Sequence, residues 1–485
     1  MKICFNNNYY MQHDSDRVVL SATPFAKEKG VRWFSMIHPF YAMLFSLIST
    51  PKEKKEAIMA ISYFFSISKE KAEKLIEPFI NNDEHKSAIY EGIKSFFPKD
   101  VIVQAEEIYD YEEYEPKQFI FKNVDTEFRR MKLAPYSILL IINNTCATNC
   151  IYCYADKVHK CEQPLSFEEI VSILNDAKSF GIRDFQIIGG EFFLFNKWEE
   201  LLTLMEEMGF HVDMLSTKIP LSKEQIAKFK RFGIRLQISL DSLNTEILQS
   251  TLNVSESYSK NIQKTIKEID ASGIRYQIAT VLTRETANTE NLNILYDFIN
   301  TLDNVIRWEI RCAFRSLYTA VDFSTIQVPT SFYETLEDWY KKVIKSSNKN
   351  IQIATENDHK YRYSITGSND FEGPRCSANR SNMVILPDGK VTICEQLYWN
   401  PRFIIGDIRK NNIREIWTGE RAIALAEFKQ SQVQKKSLCS DCEIYEKCHK
   451  FVNICIANVL KAYGDENWDF PDPRCEKAPE FFYPL

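Results

Sequence analysis

"YSILLIINNTCATNCIYCYADK", residues 136–157, joins a strongly apolar run to three cysteines within eight positions, Cys146, Cys150 and Cys153. The apolar run predicts a buried strand, and the cysteines follow directly at its end. Clustered cysteines of this kind are typical of a metal centre or a catalytic site. Their spacing favours a four-iron cluster with one open position. Zinc is the alternative, with Cys161 as the nearest fourth thiol, and a site without metal is the third.

Composition and charge limit the classes of protein to which this chain can belong. The chain has 485 residues, a net charge of −6 and 45% hydrophobic residues, which predicts a globular protein without overall attraction to nucleic acid. The N-terminus has no signal-peptide pattern, and the apolar run at 36–49 is too short for a membrane span. We therefore expect a cytoplasmic protein that contacts no membrane. Thirteen cysteines, mostly clustered, point to metal binding rather than to disulfides.

Strand and helix patterns alternate between residues 134 and 315. Six predicted strands alternate with helices, two of which begin at the capping boxes Ser166–Glu169 and Ser222–Gln225. This order predicts a parallel α/β barrel or partial barrel, with its chemistry on the loops after the strands. On that rim we expect the three cysteines together with Gly189, Gly190, Glu191, Ser216, Ser239 and Asp241.

The N-terminal zone has a different pattern. After a strand-like "RVVLSATPF", residues 20–98 predict short helices at 38–48, 52–67, 68–80 and 84–97. Residues 104–115 carry six carboxylates and predict a solvated linker.

The remaining clustered cysteines lie near the C-terminus. Cys376 and Cys394 form C-x12-G-x4-C with Gly389, and C-x2-C-x5-C follows. The later cysteines are Cys439, Cys442, Cys448, Cys455 and Cys475. Paired C-x2-C spacings suit zinc as well, so a zinc ribbon stays an alternative.

Taken together, C-x3-C-x2-C, Tyr152 and the following "GGE" resemble the signature of the radical S-adenosylmethionine (SAM) superfamily. The resemblance implies that Cys146, Cys150 and Cys153 hold a [4Fe–4S] cluster whose open iron binds SAM. It also implies reductive cleavage of SAM to a 5′-deoxyadenosyl radical that abstracts hydrogen from the substrate.

The same resemblance assigns the SAM contacts. Gly189, Gly190 and Glu191 would contact the methionine amino group of SAM. The backbone near Tyr152 would contact the adenine. Ser239, in "SLDS", matches the family's strand end for the ribose or carboxylate. The alternatives are a strand-end cap for Ser239 and a turn cap for Asp241.

Two features depart from the family pattern. Thr217, Lys218 and Ile219 replace the usual T-N-G, and residues 242–259 contain no arginine.

The C-terminal cysteines resemble a SPASM domain, which holds two auxiliary clusters. The resemblance implies an outer set of Cys439, Cys442, Cys448 and Cys475, and an inner set of Cys376, Cys394 and Cys455 with no fourth cysteine. It departs from the family at Cys455, which follows Cys448 by six intervening residues instead of three. We therefore expect three [4Fe–4S] clusters and SAM.

Enzymes with both domains mostly modify peptides, and the N-terminal zone resembles the winged-helix peptide-recognition domain of maturases of ribosomally made peptides. The expected organisation is 1–115 peptide recognition and linker, 134–315 radical SAM core, 316–370 helical bridge and 371–485 SPASM domain. Expected partners are a precursor peptide, whose leader adds a strand to a sheet edge, and an electron donor such as flavodoxin or ferredoxin. Readings of the N-terminal zone as a helical oligomerisation domain or a DNA-binding winged helix remain open.

The expected product is a thioether, carbon–carbon or ether crosslink. The alternatives are a sulfatase-maturase-like, formylglycine-forming enzyme and an inactive scaffold. The sequence does not assign the catalytic acid or base, and Glu309, Arg311 and Cys312 on the sixth strand are candidates.

Overall fold

The computed structural model describes residues 2–28, 30–105, 111–127, 129–159, 161–345, 347–354, 376–450 and 454–485. Residues 106–110 of the predicted acidic linker and residues 346 and 355–370 of the predicted bridge lie outside the described residues.

The N-terminal region combines short antiparallel sheets with helices. Its strands are β1 Lys2–Phe5, β2 Tyr9–His13, β3 Val18–Ala22, β4 Phe34–Ile37, β5 Lys52–Glu53, β6 Lys86–Tyr90, β7 Ile93–Phe97 and β8 Ile102–Gln104. Its helices are α1 Pro24–Glu28, α2 Pro39–Ser46, α3 Lys54–Phe65 and α4 Lys69–Ile76. The sheet orders are β5-β1-β8, β2-β3-β4 and the hairpin β6-β7. Three of the four predicted helices are therefore present, and the Ser68 side chain caps α4.

The helix predicted at 84–97 was wrong, because this segment forms the β6–β7 hairpin. Glu91 and Gly92 form its two-residue turn with φ of 48° and 79°, a conformation that favours glycine. Exposed and less exposed side chains alternate along both strands, which is the period of a strand. The Ser35 hydroxyl donates to the Phe96 carbonyl at 2.9 Å, so the hairpin packs beside β4.

The middle region is the predicted partial barrel. Its strands are β9 Ser137–Ile141, β10 Asp184–Ile188, β11 His211–Val212, β12 Met214–Thr217, β13 Arg235–Ser239, β14 Tyr276–Leu282, β15 Val305–Cys312 and β16 Ile351–Ala354. Its helices are α5 Phe167–Ser179, α6 Trp198–Glu207, α7 Lys223–Lys230, α8 Thr245–Leu252, α9 Tyr258–Ser272, α10 Thr289–Asn300, α11 Phe323–Ile326 and α12 Thr330–Val343. All pairings within β9-β10-β11 and β12-β13-β14-β15-β16 are parallel. The predicted third strand is divided at Asp213, so the wall consists of two sheets.

Local sequence explains the helices of this wall. Both predicted capping boxes are present, at Ser166–Glu169 before α5 and at Ser222–Gln225 before α7. The buried stripe of α5 comprises Ile170, Ile173, Leu174 and Ala177, at the spacing of one helix face. These side chains pack against the strands in the main hydrophobic core.

The C-terminal region continues the first sheet of the barrel. Its elements are β17 Asn382–Ile385, β18 Lys390–Thr392, β19 Ile404–Asp407, α13 Ile413–Trp417, α14 Glu420–Ala426, α15 Tyr445–Lys450 and α16 Ile456–Tyr463. Strand β17 pairs in parallel with β9, the strand that precedes the three cysteines. The cysteines after β17 are therefore tied to the same sheet as Cys146, Cys150 and Cys153.

In the ranges that the structure describes, every helix is too short or too polar to cross a membrane.

Candidate functional site at the barrel rim

The three-cysteine loop after β9 lies against the loop after β10. Gly190 donates its main-chain N–H to the Asn143 carbonyl, and Glu191 donates to the Thr145 carbonyl, both at 2.8 Å. A Cβ atom on Gly190 would lie 2.0 Å from the Thr145 carbonyl oxygen. This approach therefore requires glycine, and it brings the predicted cysteines and the predicted "GGE" contacts together.

Within the loop, Thr148 bridges two of the cysteines. Its hydroxyl lies 3.3 Å from the Cys146 Sγ and 3.4 Å from the Cys150 Sγ. Burial raises the pKa of Cys153, an effect that the Lys157 ammonium partly offsets. Iron supplies the positive charge that keeps such a buried thiolate ionised, so the donor set fits a cluster.

The Glu191 carboxylate joins the loop after β10 to the end of β12. It is buried and accepts hydrogen bonds from Thr217 Oγ1 at 3.0 Å, Lys218 N at 3.0 Å and Phe193 N at 3.2 Å. Burial raises the pKa of Glu191, which these donors partly offset. The side chain is thus fixed by protein donors, and it orients the loop whose main chain lines the rim.

Asp241 is engaged by protein groups on both carboxylate oxygens. Oδ1 accepts from the Val281 N–H at 2.9 Å, and Oδ2 accepts from Lys218 Nζ at 3.0 Å and from the Tyr152 hydroxyl. Burial, and then the Asp241 charge, holds the pKa of Tyr152 well above its ordinary value. Sequence reasoning placed Tyr152 and Asp241 at the site but treated Lys218 only as a departure from the T-N-G pattern.

Ser216 and Ser239 lie on the neighbouring strands β12 and β13 at the same rim. Ser216 is exposed and Ser239 half-buried. Neither hydroxyl hydrogen-bonds to another residue that the structure describes. Both remain predicted SAM contacts.

Strand β15, the predicted sixth strand, carries the ion-paired carboxylate of Glu309 in the barrel wall. Glu309 is buried and forms ion pairs with Arg307, at 2.6 Å, and with Arg311. Burial raises the pKa of Cys312 to about 11, with a smaller opposing effect from Tyr333.

The C-terminal cysteines influence one another electrostatically within each of the two predicted sets, and their role as cluster ligands stays a prediction. In the inner set, burial holds the pKa of Cys394 well above its ordinary value, and Glu395, Cys455 and Cys376 add to the rise. In the outer set, burial raises the pKa of Cys439 and of Cys448 to about 12, with further contributions from Cys442 and Cys475.

In the described ranges, no three His, Cys, Asp or Glu side chains converge on a position that would hold a single metal ion. A zinc ion needs its thiolates within about 2.3 Å, whereas a four-iron cluster spreads them over the corners of a cube.

The Tyr154 ring is 40% exposed, and its hydroxyl feels the charges of both the three-cysteine loop and the inner set. The pKa of Tyr154 is raised by desolvation of its hydroxyl and by the charges of Glu395, Cys153 and Cys394, while Arg311 lowers it. Sequence reasoning did not select Tyr154 or Glu395, although each directly follows a predicted ligand, Cys153 and Cys394.

Comparison with known families agrees with this arrangement. Residues 140–292 match the Radical SAM superfamily, and residues 376–443 match SPASM, an iron–sulfur cluster-binding domain. These two segments of the chain are therefore similar to a radical SAM domain and to a SPASM domain. The SPASM match contains Cys376, Cys394, Cys439 and Cys442 and ends before the other three C-terminal cysteines.

Similar proteins differ in how much of this chain they cover. The sporulation killing factor maturation protein SkfB of Bacillus subtilis is 23% identical over 32% of this chain and 37% of its own length. A probable GTP 3′,8-cyclase of Sulfolobus acidocaldarius is 25% identical over 56% of this chain and 85% of its own. The match thus spans well under two thirds of SkfB.

Among solved structures, SuiB of Streptococcus suis has the same overall fold. The SuiB structure with bound precursor peptide SuiA has a TM-score of 0.63 and 16% identity, and the match covers 98% of this chain and 100% of SuiB. The SAM-bound structure of SuiB gives the same TM-score and coverage at 15% identity.

Proposed function

We propose that this chain is a radical SAM/SPASM peptide maturase that removes hydrogen from a ribosomally made precursor peptide and forms a crosslink. The observation that carries the proposal is the packing of the three-cysteine loop against the "GGE" loop, at the end of strand β9, which pairs with β17 of the C-terminal region. A substrate side chain at the barrel rim would lie between the cluster of the three-cysteine loop, which starts the reaction, and the cluster of the inner set, which is a second redox site.

Two similar proteins support a peptide as the substrate. SuiB was crystallised with a precursor peptide, and SkfB is a maturation protein for the sporulation killing factor. The GTP cyclase matches about half of this chain, whereas the SuiB match includes the N-terminal region.

The cofactors of the proposal are SAM and three [4Fe–4S] clusters. Cys146, Cys150 and Cys153 would hold one cluster, the inner set a second and the outer set a third. When bound, SAM and its cluster supply a carbon-centred radical that can remove hydrogen from an unactivated carbon. The protein orients these groups: Gly190 permits close packing of the two loops, and Glu191 fixes the third strand end against them.

Formation of a bond between a substrate radical and a thiol or phenol also releases a proton and an electron. Glu395 lies 3.5 Å from the Cys394 Sγ through its Oε2 atom and contributes to the field at Tyr154. We assign to its carboxylate the role of proton acceptor, and to the inner set the role of holding the electron acceptor.

The N-terminal region is the proposed leader-binding part. Strand β6 pairs with β7 alone among the described strands, so its other edge offers main-chain groups to an extended peptide. We also propose a cytoplasmic location and a flavodoxin or ferredoxin as reductant.

The test is anaerobic incubation of the reconstituted enzyme with SAM, dithionite and a peptide encoded beside its gene. Mass spectrometry should show 5′-deoxyadenosine and a peptide lighter by two hydrogens, and Cys150→Ala should show neither. A peptide with cysteine or serine converted to an aldehyde would instead support the formylglycine-forming alternative. Absence of 5′-deoxyadenosine with every substrate would support the scaffold.

A further inference from the structure

Lys218, at the position where the sequence departs from the family pattern, contacts two groups of the rim. Its Nζ lies 3.0 Å from Asp241 Oδ2 and donates to the Tyr152 hydroxyl, which itself donates to the same carboxylate oxygen. Nζ also lies 4.9 Å from the centre of the Tyr152 ring. Tyr152 lies between Cys150 and Cys153 in the sequence. These contacts therefore connect the three-cysteine loop to the loops that follow β12 and β13.

We propose that Lys218 is a positioning residue: its buried ion pair with Asp241 fixes Tyr152, and through Tyr152 the three-cysteine loop and the charge around it. The cluster part of this proposal rests on the proposed function, whereas the ion pair itself does not.

Burial makes the pair sensitive to the loss of one partner. The Asp241 side chain is 1% exposed and the Lys218 side chain 12%. Removing Lys218 would leave a buried carboxylate beside Tyr152 without a counter-charge, whereas removing both charges would leave no net charge. The two single substitutions and the double substitution should therefore have non-additive effects.

The backbone of Lys218 is fixed independently of its ammonium group. Its N–H donates to Glu191, and its carbonyl accepts from the Tyr258 hydroxyl. Substitution of the side chain therefore removes the ion pair and leaves the strand end in place. The unpaired Asp241 charge would then disfavour reduction of a nearby cluster, because the added electron is repelled.

The test uses Lys218→Met, Asp241→Asn and the double variant in the full chain. Lys223→Met is the matched control, since it loses the same charge from an 82% exposed side chain on α7. In the apo chain, Lys218→Met should lower the unfolding temperature and the double variant should recover most of the loss. In the reconstituted chain, EPR-monitored potentiometry of the SAM-responsive cluster should show a more negative midpoint for Lys218→Met and recovery in the double variant.

Additive unfolding effects in the apo chain would overturn the ion-pair role, and a wild-type midpoint in Lys218→Met would overturn its role toward the cluster. If Lys218→Met does not fold, the double variant decides: folding with a cluster supports the proposal, and failure to fold overturns it. A wild-type chain that takes up no iron contradicts the proposed function and the cluster role, and the apo measurement then judges the ion pair separately.

Discussion

Gly190 lies at the closest approach of two rim loops, where the Thr145 carbonyl leaves no room for a side chain. The "GGE" pattern made this residue predictable from sequence. Lys218 and Tyr154 were not, because their partners Asp241 and Glu395 lie far away in the chain and meet them only after folding. Motif spacing thus predicted the candidate ligands, but not the side chains that position them.

Gly190→Ala should separate the two loops, lower the unfolding temperature and reduce iron uptake by the three-cysteine site. Gly209→Ala is the control, because Gly209 has open space around its Cα and a φ of +77°. The control should lose only about 1 to 2 kcal/mol from left-handed backbone strain. Thermal unfolding and iron content measure both effects, and equal losses in the two variants would contradict the steric account.

At the scale of elements, the barrel was predictable because its helices carry their own caps and apolar stripes. The β6–β7 hairpin was not recognised, since its apolar spacing also fits a short helix and the Glu91–Gly92 turn was overlooked. The hairpin matters for α2: its Ser95 hydroxyl accepts from the His38 N–H at 2.9 Å, and His38 caps that helix.

His38 should make folding sensitive to acid. Its Nδ1 accepts from the Phe40 N–H at 3.1 Å, and its buried Nε2 has no partner among the described residues. Burial lowers the pKa of His38 below its ordinary 6.5, with a small opposing effect from Glu91. A depressed folded-state pKa means that its contribution is complete above pH 6.5 and is lost as pH falls through the folded value.

His38→Asn keeps an acceptor at the helix start and removes this titration. When the pH is lowered from about 7 to about 5, the unfolding temperature of the variant should therefore fall less than that of the wild type. Thermal melts at constant ionic strength give the comparison, and equal slopes would contradict the assignment.

At the scale of the whole molecule, the barrel and C-terminal segments share one core that the N-terminal region touches, while most buried N-terminal residues form a second core. Val19 and Met36 belong to the same buried cluster as the barrel strands. Trp417 is fully buried, donates to the Met131 carbonyl at 2.7 Å and lies under the Arg130 guanidinium. Such long-range packing, like the β9–β17 pairing, has no local sequence signal, whereas the cysteine spacings predicted the C-terminal sets.

Trp417→Ala should lower the free energy of unfolding by about 3 to 5 kcal/mol through the cavity that it leaves. Trp417→Phe keeps most of the ring and loses the N–H donor, so about 1 to 3 kcal/mol is expected. Urea unfolding followed by tryptophan fluorescence and by circular dichroism provides the measurement. A loss below 1 kcal/mol for Trp417→Ala would contradict the anchoring role.

The two C-terminal cysteine sets should each account for one cluster. Cys394→Ala and Cys442→Ala should each lower the iron content by about four per chain, because a four-iron cluster requires its cysteine ligands. Cys161→Ala should leave the iron content unchanged, since Cys161 belongs to neither set. Zinc in place of iron in the purified protein would restore the ribbon interpretation.

The most direct test of the central claim is iron and sulfide content after anaerobic reconstitution, with 5′-deoxyadenosine measured on the same sample under dithionite. The account predicts about twelve irons per wild-type chain and 5′-deoxyadenosine formation from SAM. Cys150→Ala should lose both the product and about four irons. A wild-type chain with neither iron nor 5′-deoxyadenosine would contradict the enzyme that the rim geometry supports.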